Sequence, residues 1–403
     1  MKKRARSLFI ILLITVFIMA FSNSYQSLSI DNLAHVIAIG IDKLDDNNLS
    51  ITFQFSTTTP TSEAGFMKNT SSITDTIKAS SIENAVNLMN NYLSKDLNFS
   101  HCKLIVFSEE IAIEGISDQI YTLLNDTQIR PSSNIIISKC TAKYFIEKTS
   151  PELENLISKY YEILTKSSKY TGLIPDSTLG DFFNRLVCNT CEPSAILGGP
   201  TTSTDEQPDN NNTNIKPTES LIDGQNGTET IGVAVFKRDK LVGELSASDC
   251  VSFLAIDNKV ERFLISIPNP VDQNNYLDIY LEPEKKSKIK VSTINSSPYI
   301  KIKANFVGRL DSMSENSKSL QPDVLDAISQ SCNKHLEAQI SEYLYKTSTK
   351  FNSDINGFGK YALKNFFTTK QFEDYNWIKN YKNAFFNVDI KTNIKSSMLI
   401  NGT

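Results

Sequence analysis

Apolar and polar positions along the chain fall into segments of two periods. His35-Val-Ile-Ala-Ile-Gly-Ile-Asp42 is a short apolar run, and Leu49-Ser-Ile-Thr-Phe-Gln-Phe55 alternates strictly, so both read as strands joined by the turn Lys43–Asn48. A polar loop from Ser56 to Thr76 follows. Ser80 and Glu83 then predict a capping box for an amphipathic helix with Ile82, Ala85, Val86, Met89, Tyr92 and Leu93 on one face, running to about Leu97. Leu104–Phe107 and Ile135–Ile137 read as further strands around a second helix marked by Ile116, Ile120, Leu123 and Leu124. Helical patterns near Glu152–Leu164 and Ser177–Leu186 complete a mixed α/β region with some parallel pairing.

Residues 198–230 break this pattern, with almost nothing apolar except Leu221 and Ile222, and read as a linker or exposed loop. Beyond it Ile231–Phe236 is a strand, a turn lies at Arg238-Asp-Lys240, and a short helix runs from about Ser246 to Leu254. Strands are expected at Phe263–Ile267, Tyr276–Leu281, Ile289–Ile294 and Tyr299–Phe306, an antiparallel meander by their spacing. Pro322 opens a long helix with Leu325, Ile328, Cys332, Leu336, Ile340, Tyr343 and Leu344 along one face, and Phe386–Ile394 returns to a sheet. The expected fold is therefore α+β or mixed α/β and multi-domain: mixed sheets flanked by helices, then a C-terminal antiparallel sheet with one long helix. Its divisions are 1–24 (signal or anchor), 25–197 (N-terminal region, two subdomains being an option), 198–230 (linker) and 231–403 (C-terminal domain).

The N-terminus changes the picture of location. Met-Lys-Lys-Arg-Ala-Arg precedes an apolar run of 14 residues, Leu8 to Phe21, broken only by Thr15. That is the shape of a secretory signal, and with tilt to Tyr25 it also suits an anchor, the basic flank staying in the cytoplasm. The body after residue 25 is expected outside the membrane. At 403 residues, 40% apolar and 21% charged, it is long enough for two or three cores. Forty-one basic against 45 acidic residues give a net charge of −4, which offers a phosphate backbone no basic field, so nucleic acid is not expected as a partner.

Candidate chemistry is sparse. No Gly-x-Ser-x-Gly, Ser-x-x-Lys set, His-Glu-x-x-His or EF-hand loop occurs, and Gly357-Phe-Gly359 lacks the setting of a dinucleotide fingerprint. Cys188-Asn-Thr-Cys191 has no second CxxC and no paired histidines, since His35, His101 and His335 are far away in sequence; Cys332 and His335 share a helix face, but two ligands do not close a site. The six cysteines are expected to be mostly free thiols. The acidic pairs Asp45-Asp46 and Glu109-Glu110 read as solvated surface. No catalytic, cofactor-binding or metal residue is assigned, and no enzyme activity is expected. An extracytoplasmic solute-binding protein and a wall-active enzyme are the competing classes.

Three ordered segments resemble the Ger(x)C family, the C subunits of spore germinant receptors, over about residue 24 to the end. In that family a lipobox Cys is followed by Trp-Asp-x-x-Glu-Ile, a polar pair, Leu-Ala, a hydrophobic stretch and Gly-Ile-Asp. Here Ser24-Tyr25 through Ile30-Asp31-Asn32-Leu33-Ala34 to Gly40-Ile41-Asp42 occupies that ground. Gly232-Val-Ala-Val-Phe-Lys-Arg-Asp-Lys240-Leu-Val-Gly243 is similar to the opening of the family's C-terminal domain, and Ser353-Asp354-Ile-Asn-Gly357-Phe-Gly359 is followed at family-like distance by Trp377 and Phe385. Read from the residues alone, these are turn glycines and a core anchor. The resemblance implies a three-domain protein on the outer face of the spore inner membrane, beside a polytopic A-type and a transporter-like B-type subunit. There it would help couple nutrient sensing to germination. Ser24 stands where the lipid-carrying Cys belongs, and Asn23 where a small residue should precede it, which makes an uncleaved N-terminal anchor the simplest substitute for lipid.

Overall fold

The computed structural model describes residues 32–56, 72–151, 154, 156–201, 227–270, 275–310 and 322–395, together with Thr15. The N-terminal apolar run otherwise lies outside the described residues, as does most of the polar stretch 198–230. Among the described residues no helix is long and apolar enough to cross a membrane.

The first sheet has nine strands: β1 Leu33–Lys43, β2 Leu49–Ser56, β3 Ser72–Ala79, β4 Asp96–Asn98, β5 Leu104–Ser108, β6 Asn134–Ser138, β7 Ser194–Pro200, β8 Thr228–Lys237 and β9 Lys240–Leu245. Their order is 3-2-1-5-6-7-8-9, with β4 also on β1. β1, β5, β6 and β7 are parallel neighbours, and antiparallel strands flank them on each side. The parallel strands are short apolar runs because both of their faces are covered. Ile105, Phe107, Ile135 and Ile137 face a core shared with helices α1 Ile82–Leu93, α2 Glu109–Glu114, α3 Ser117–Asn125 and α6 Leu179–Leu186. Leu104, Val106 and Ile136 face the opposite core, under α4 Ala142–Lys148 and α5 Ile157–Ile163.

The second sheet has β10 Phe263–Pro268, β11 Tyr276–Ile294, β12 Ser297–Leu310 and β13 Phe385–Lys395 in that order. α7 Ala247–Asp257 and α8 Pro322–Tyr345 pack on it, and all seven positions of the predicted stripe are at least partly buried, six of them fully. β8 joins the two cores: Ala234 and Phe236 point into the first, Val233 and Val235 into the second.

The fold class and most elements agree with the sequence; α2 and the buried strand β7 are elements its pattern did not predict, and five further local differences have physical causes. β3 replaces part of the expected loop: Ser72–Ala79 carries few apolar residues because it is an edge strand held by β2. The N-cap of α1 is Ser81, whose hydroxyl accepts from the Asn84 N–H at 3.1 Å, while Ser80 binds the Asn84 side chain, so no box forms with Glu83. That helix stops at Leu93, with Ser94 at φ 51, and Leu97 sits in β4 instead. The strands expected at Tyr276–Leu281 and Ile289–Ile294 are one strand of 19 residues, irregular in register around Pro283–Lys288 where polar residues interrupt the alternation. The final strand is parallel to β12, since the chain returns after α8 by a crossover and not a hairpin.

Candidate functional site

The three segments singled out in the sequence perform identifiable structural work. At the first, Gly40 lets α4 approach β1: a Cβ there would lie 3.2 Å from the Ala142 Cβ and 2.9 Å from Ile146 Cδ1. Two residues on, the Asp42 carboxylate accepts the N–H groups of Ala142 at 2.6 Å and Lys143 at 3.0 Å, at the positive end of that helix. Burial nevertheless pushes the Asp42 carboxyl up, more strongly than those bonds pull it down.

The second and third segments meet. In the β8–β9 hairpin Gly232 has φ +87 with no room for a side chain beside the Leu245 carbonyl, and Gly243 lies against the Phe351 ring. Ser353 donates to the Phe236 carbonyl. Asp354, fully buried, accepts from Phe358 N at 3.0 Å, Gly359 N at 2.9 Å and Trp377 Nε1 at 2.8 Å, while its own carbonyl receives Glu192 N. Gly357 turns at φ +68, and a Cβ at Gly359 would strike Thr190 O at 2.5 Å and Trp377 Cδ1 at 2.7 Å. Arg185, from α6, donates to Ile355 O at 2.6 Å and Glu192 O at 3.3 Å and lies 4.0 Å from the Asp257 carboxylate. Asp257 is also bound by Asn356, whose Oδ1 takes the Tyr343 hydroxyl. Phe385, by contrast, is exposed; its neighbour Phe386 packs against Tyr345, Phe358 and Tyr381.

This knot fastens the two cores together and is electrostatically costly. Burial raises the Asp354 carboxyl to about 6 despite its three donors. Glu192 is pushed by burial to about 7, partly offset by the Arg238 N–H, which its Oε2 accepts at 2.6 Å, and by the Arg238 and Lys237 charges. Beside the knot is a cavity of about 400 Å³ walled by Glu192, Lys237, Arg238, Asn352, Trp377 and Lys379 among others. No sequence pattern singles out Arg185, Glu192 or Asn352; Glu192 merely follows Cys191, and its burial is a property of the packed junction.

The remaining candidates are dispersed. Among the described residues no three His, Cys, Asp or Glu side chains converge as a metal set. All six cysteines are free. Burial pushes both thiols of the 188–191 pair up; at Cys191 it prevails, to about 12, whereas at Cys188 donors from Cys191 and Thr190 outweigh it and the thiol falls below its ordinary value. His35 and His101 do meet edge to face at 5.3 Å, which their sequence separation hides. Glu109 binds Lys139 at 2.9 Å, a partnered surface acid.

The comparisons with known proteins cover most of the chain. The family described as "Spore germination protein N-terminal domain" covers residues 26–197, and "Spore germination B3/ GerAC like, C-terminal" covers 231–398. The chain belongs to the GerAC family of spore germination proteins. Two relatives from Bacillus subtilis (strain 168) fit the same family: "Spore germination protein KC", 25% identical over 81% of this chain and 80% of its own, and "Putative spore germination protein YfkR", 20% identical over 76% and 74%. The crystal structure of the GerBC protein aligns over 88% of this chain and 96% of its own at 18% identity and a TM-score of 0.47. The GerAC family is not a known enzyme family. Its motif glycines and Trp377 sit here at chain turns and in the fastening knot.

Proposed function

We propose that the chain is the C subunit of a spore germinant receptor, held on the outer face of the spore inner membrane and helping to couple nutrient sensing to germination. The observation that carries this is the pair of family matches, which together span nearly the whole chain after the N-terminal apolar run. The site supports it chemically: the buried acids are engaged in bonds that hold two cores in one arrangement, which suits a subunit whose task is assembly. Its partners are an A-type and a B-type membrane subunit, and no nucleic acid, cofactor or metal is required. A tagged chain isolated from spore membranes is expected to bring down an A-type and a B-type subunit. Recovery of the tagged chain from the spore core, free of both, would overturn the proposal.

A further inference from the structure

We infer that the cavity beside the Asp354 knot is a binding site for a small zwitterion with an apolar body. At about 400 Å³ it falls within the roughly 300–1,000 Å³ typical of small-molecule sites. Two residues that line it carry a buried acceptor without a partner: Glu192 Oε1 and Asn352 Oδ1 have no hydrogen-bond partner among the described residues, and Glu192 is only 1% exposed. A buried acceptor left unpaired is costly, and a ligand that donates, such as an ammonium group, removes that cost. Glu373 adds an exposed carboxylate to the lining.

The same walls carry the opposite charge. Lys237, Arg238 and Lys379 line the cavity, and among the described residues none of them makes an ion pair. Arg238 is fixed there by its backbone: it sits at φ 57 in the β8–β9 turn, its N–H bound to Glu192 Oε2 and its guanidinium bound to Leu186 O at 3.3 Å. Lys237 and Arg238 act on the Glu192 carboxylate without closing an ion pair, and with Lys379 they leave a positive rim that suits a carboxylate or similar anion on the ligand. Phe372, Trp377 and Ile378 supply an apolar wall for its body. A ligand with only one of the two charges engages either the orphaned oxygens or the positive rim, and not both.

The inference goes beyond the receptor-subunit reading and does not depend on it, because it concerns binding by the isolated chain. The full-length protein in detergent is titrated calorimetrically with phenylalanine, with phenethylamine (no carboxylate) and with 3-phenylpropionate (no amine). Saturable binding of phenylalanine is expected, with both half-ligands weaker by at least about tenfold. Lys379→Ala should weaken phenylalanine at an unchanged melting temperature. Glu192→Gln, which keeps an oxygen for the Arg238 N–H, should narrow the gap between phenylalanine and 3-phenylpropionate. Absence of saturable binding by phenylalanine, equal binding of a half-ligand, or a Lys379→Ala variant that binds as the parent does would overturn the site.

Discussion

At the scale of single residues the chain uses charge and glycine at few places, and the sequence showed them unevenly. Gly40, Gly232, Gly357 and Gly359 were visible because their order matched a family pattern, and each proves to be a position where a Cβ meets a wall or φ is positive. Glu192 was invisible: a carboxylate between Cys191 and Pro193 announces nothing until the strand, the hairpin turn and the 353–359 loop close around it. Its burial makes a pH prediction. An ordinary glutamate titrates near 4.5, whereas Glu192 in the folded chain titrates near 7, so folding favours its protonated form. Its contribution to stability is therefore fully present below about 4.5 and is lost as pH rises through about 7; Asp354, raised from 3.8 to about 6, has the same sign. In urea titrations of the parent and Glu192→Gln, the parent should lose stability relative to the variant as pH rises through that window. A difference that stays constant with pH would show that Glu192 does not titrate as its burial implies.

Among elements, long periodic segments were the most legible. The stripe of α8 needs only a single helix face to be seen, and the buried parallel strands β1, β5 and β6 stand out as apolar runs, whereas β7, equally buried, carries only Ala195–Leu197 before two glycines and does not. Edge elements were harder, since half of their surface is polar: β3 went unseen, and β13 hides its protection altogether. Its Ile390 and Thr392 N–H groups are accepted by Glu337 and Asn333 of α8, at 3.1 and 2.7 Å, so a helix seals the open edge of the second sheet. The compositional break at 198–230 is likewise not where the first sheet ends, because β8 and β9 complete that sheet beyond it. Pro200 pairs with Thr228, Thr201 N donates to Gly227 O at 3.0 Å, and Gly227 N donates to Thr201 Oγ1 at 2.8 Å. With the ends already in contact, replacing residues 202–226 by an Asn-Gly turn should leave the fold intact. Stability should hold or rise, by up to about 2 kcal/mol from the shorter loop closure. A urea midpoint well below that of the parent would assign those residues a packing role.

At the scale of the whole molecule, the sequence carries an N-terminal apolar run of the shape of an export signal, no catalytic pattern and an ordered set of family-like segments. The two cores share β8 and are pinned by the Asp354 knot and by Lys169 O, which accepts the Glu261 and Arg262 N–H groups at 2.7 and 3.1 Å, so the regions on either side of residues 202–226 are expected to act as a unit. In the proposed function, attachment to the membrane is assigned to the N-terminal apolar run. Ser24 has no thiol to form a thioether, so spores fed radiolabelled palmitate should yield an unlabelled chain that still fractionates with membranes through residues 8 to about 25. Label on the native chain would place lipid there after all. The central claim, that this chain serves nutrient-triggered germination, is tested most directly by deleting its gene and following germination. Nutrients should fail or act slowly, while calcium dipicolinate or mechanical breakage still works, and a restored copy should bring the nutrient response back. Deletion spores that germinate normally with every nutrient tested would contradict the account.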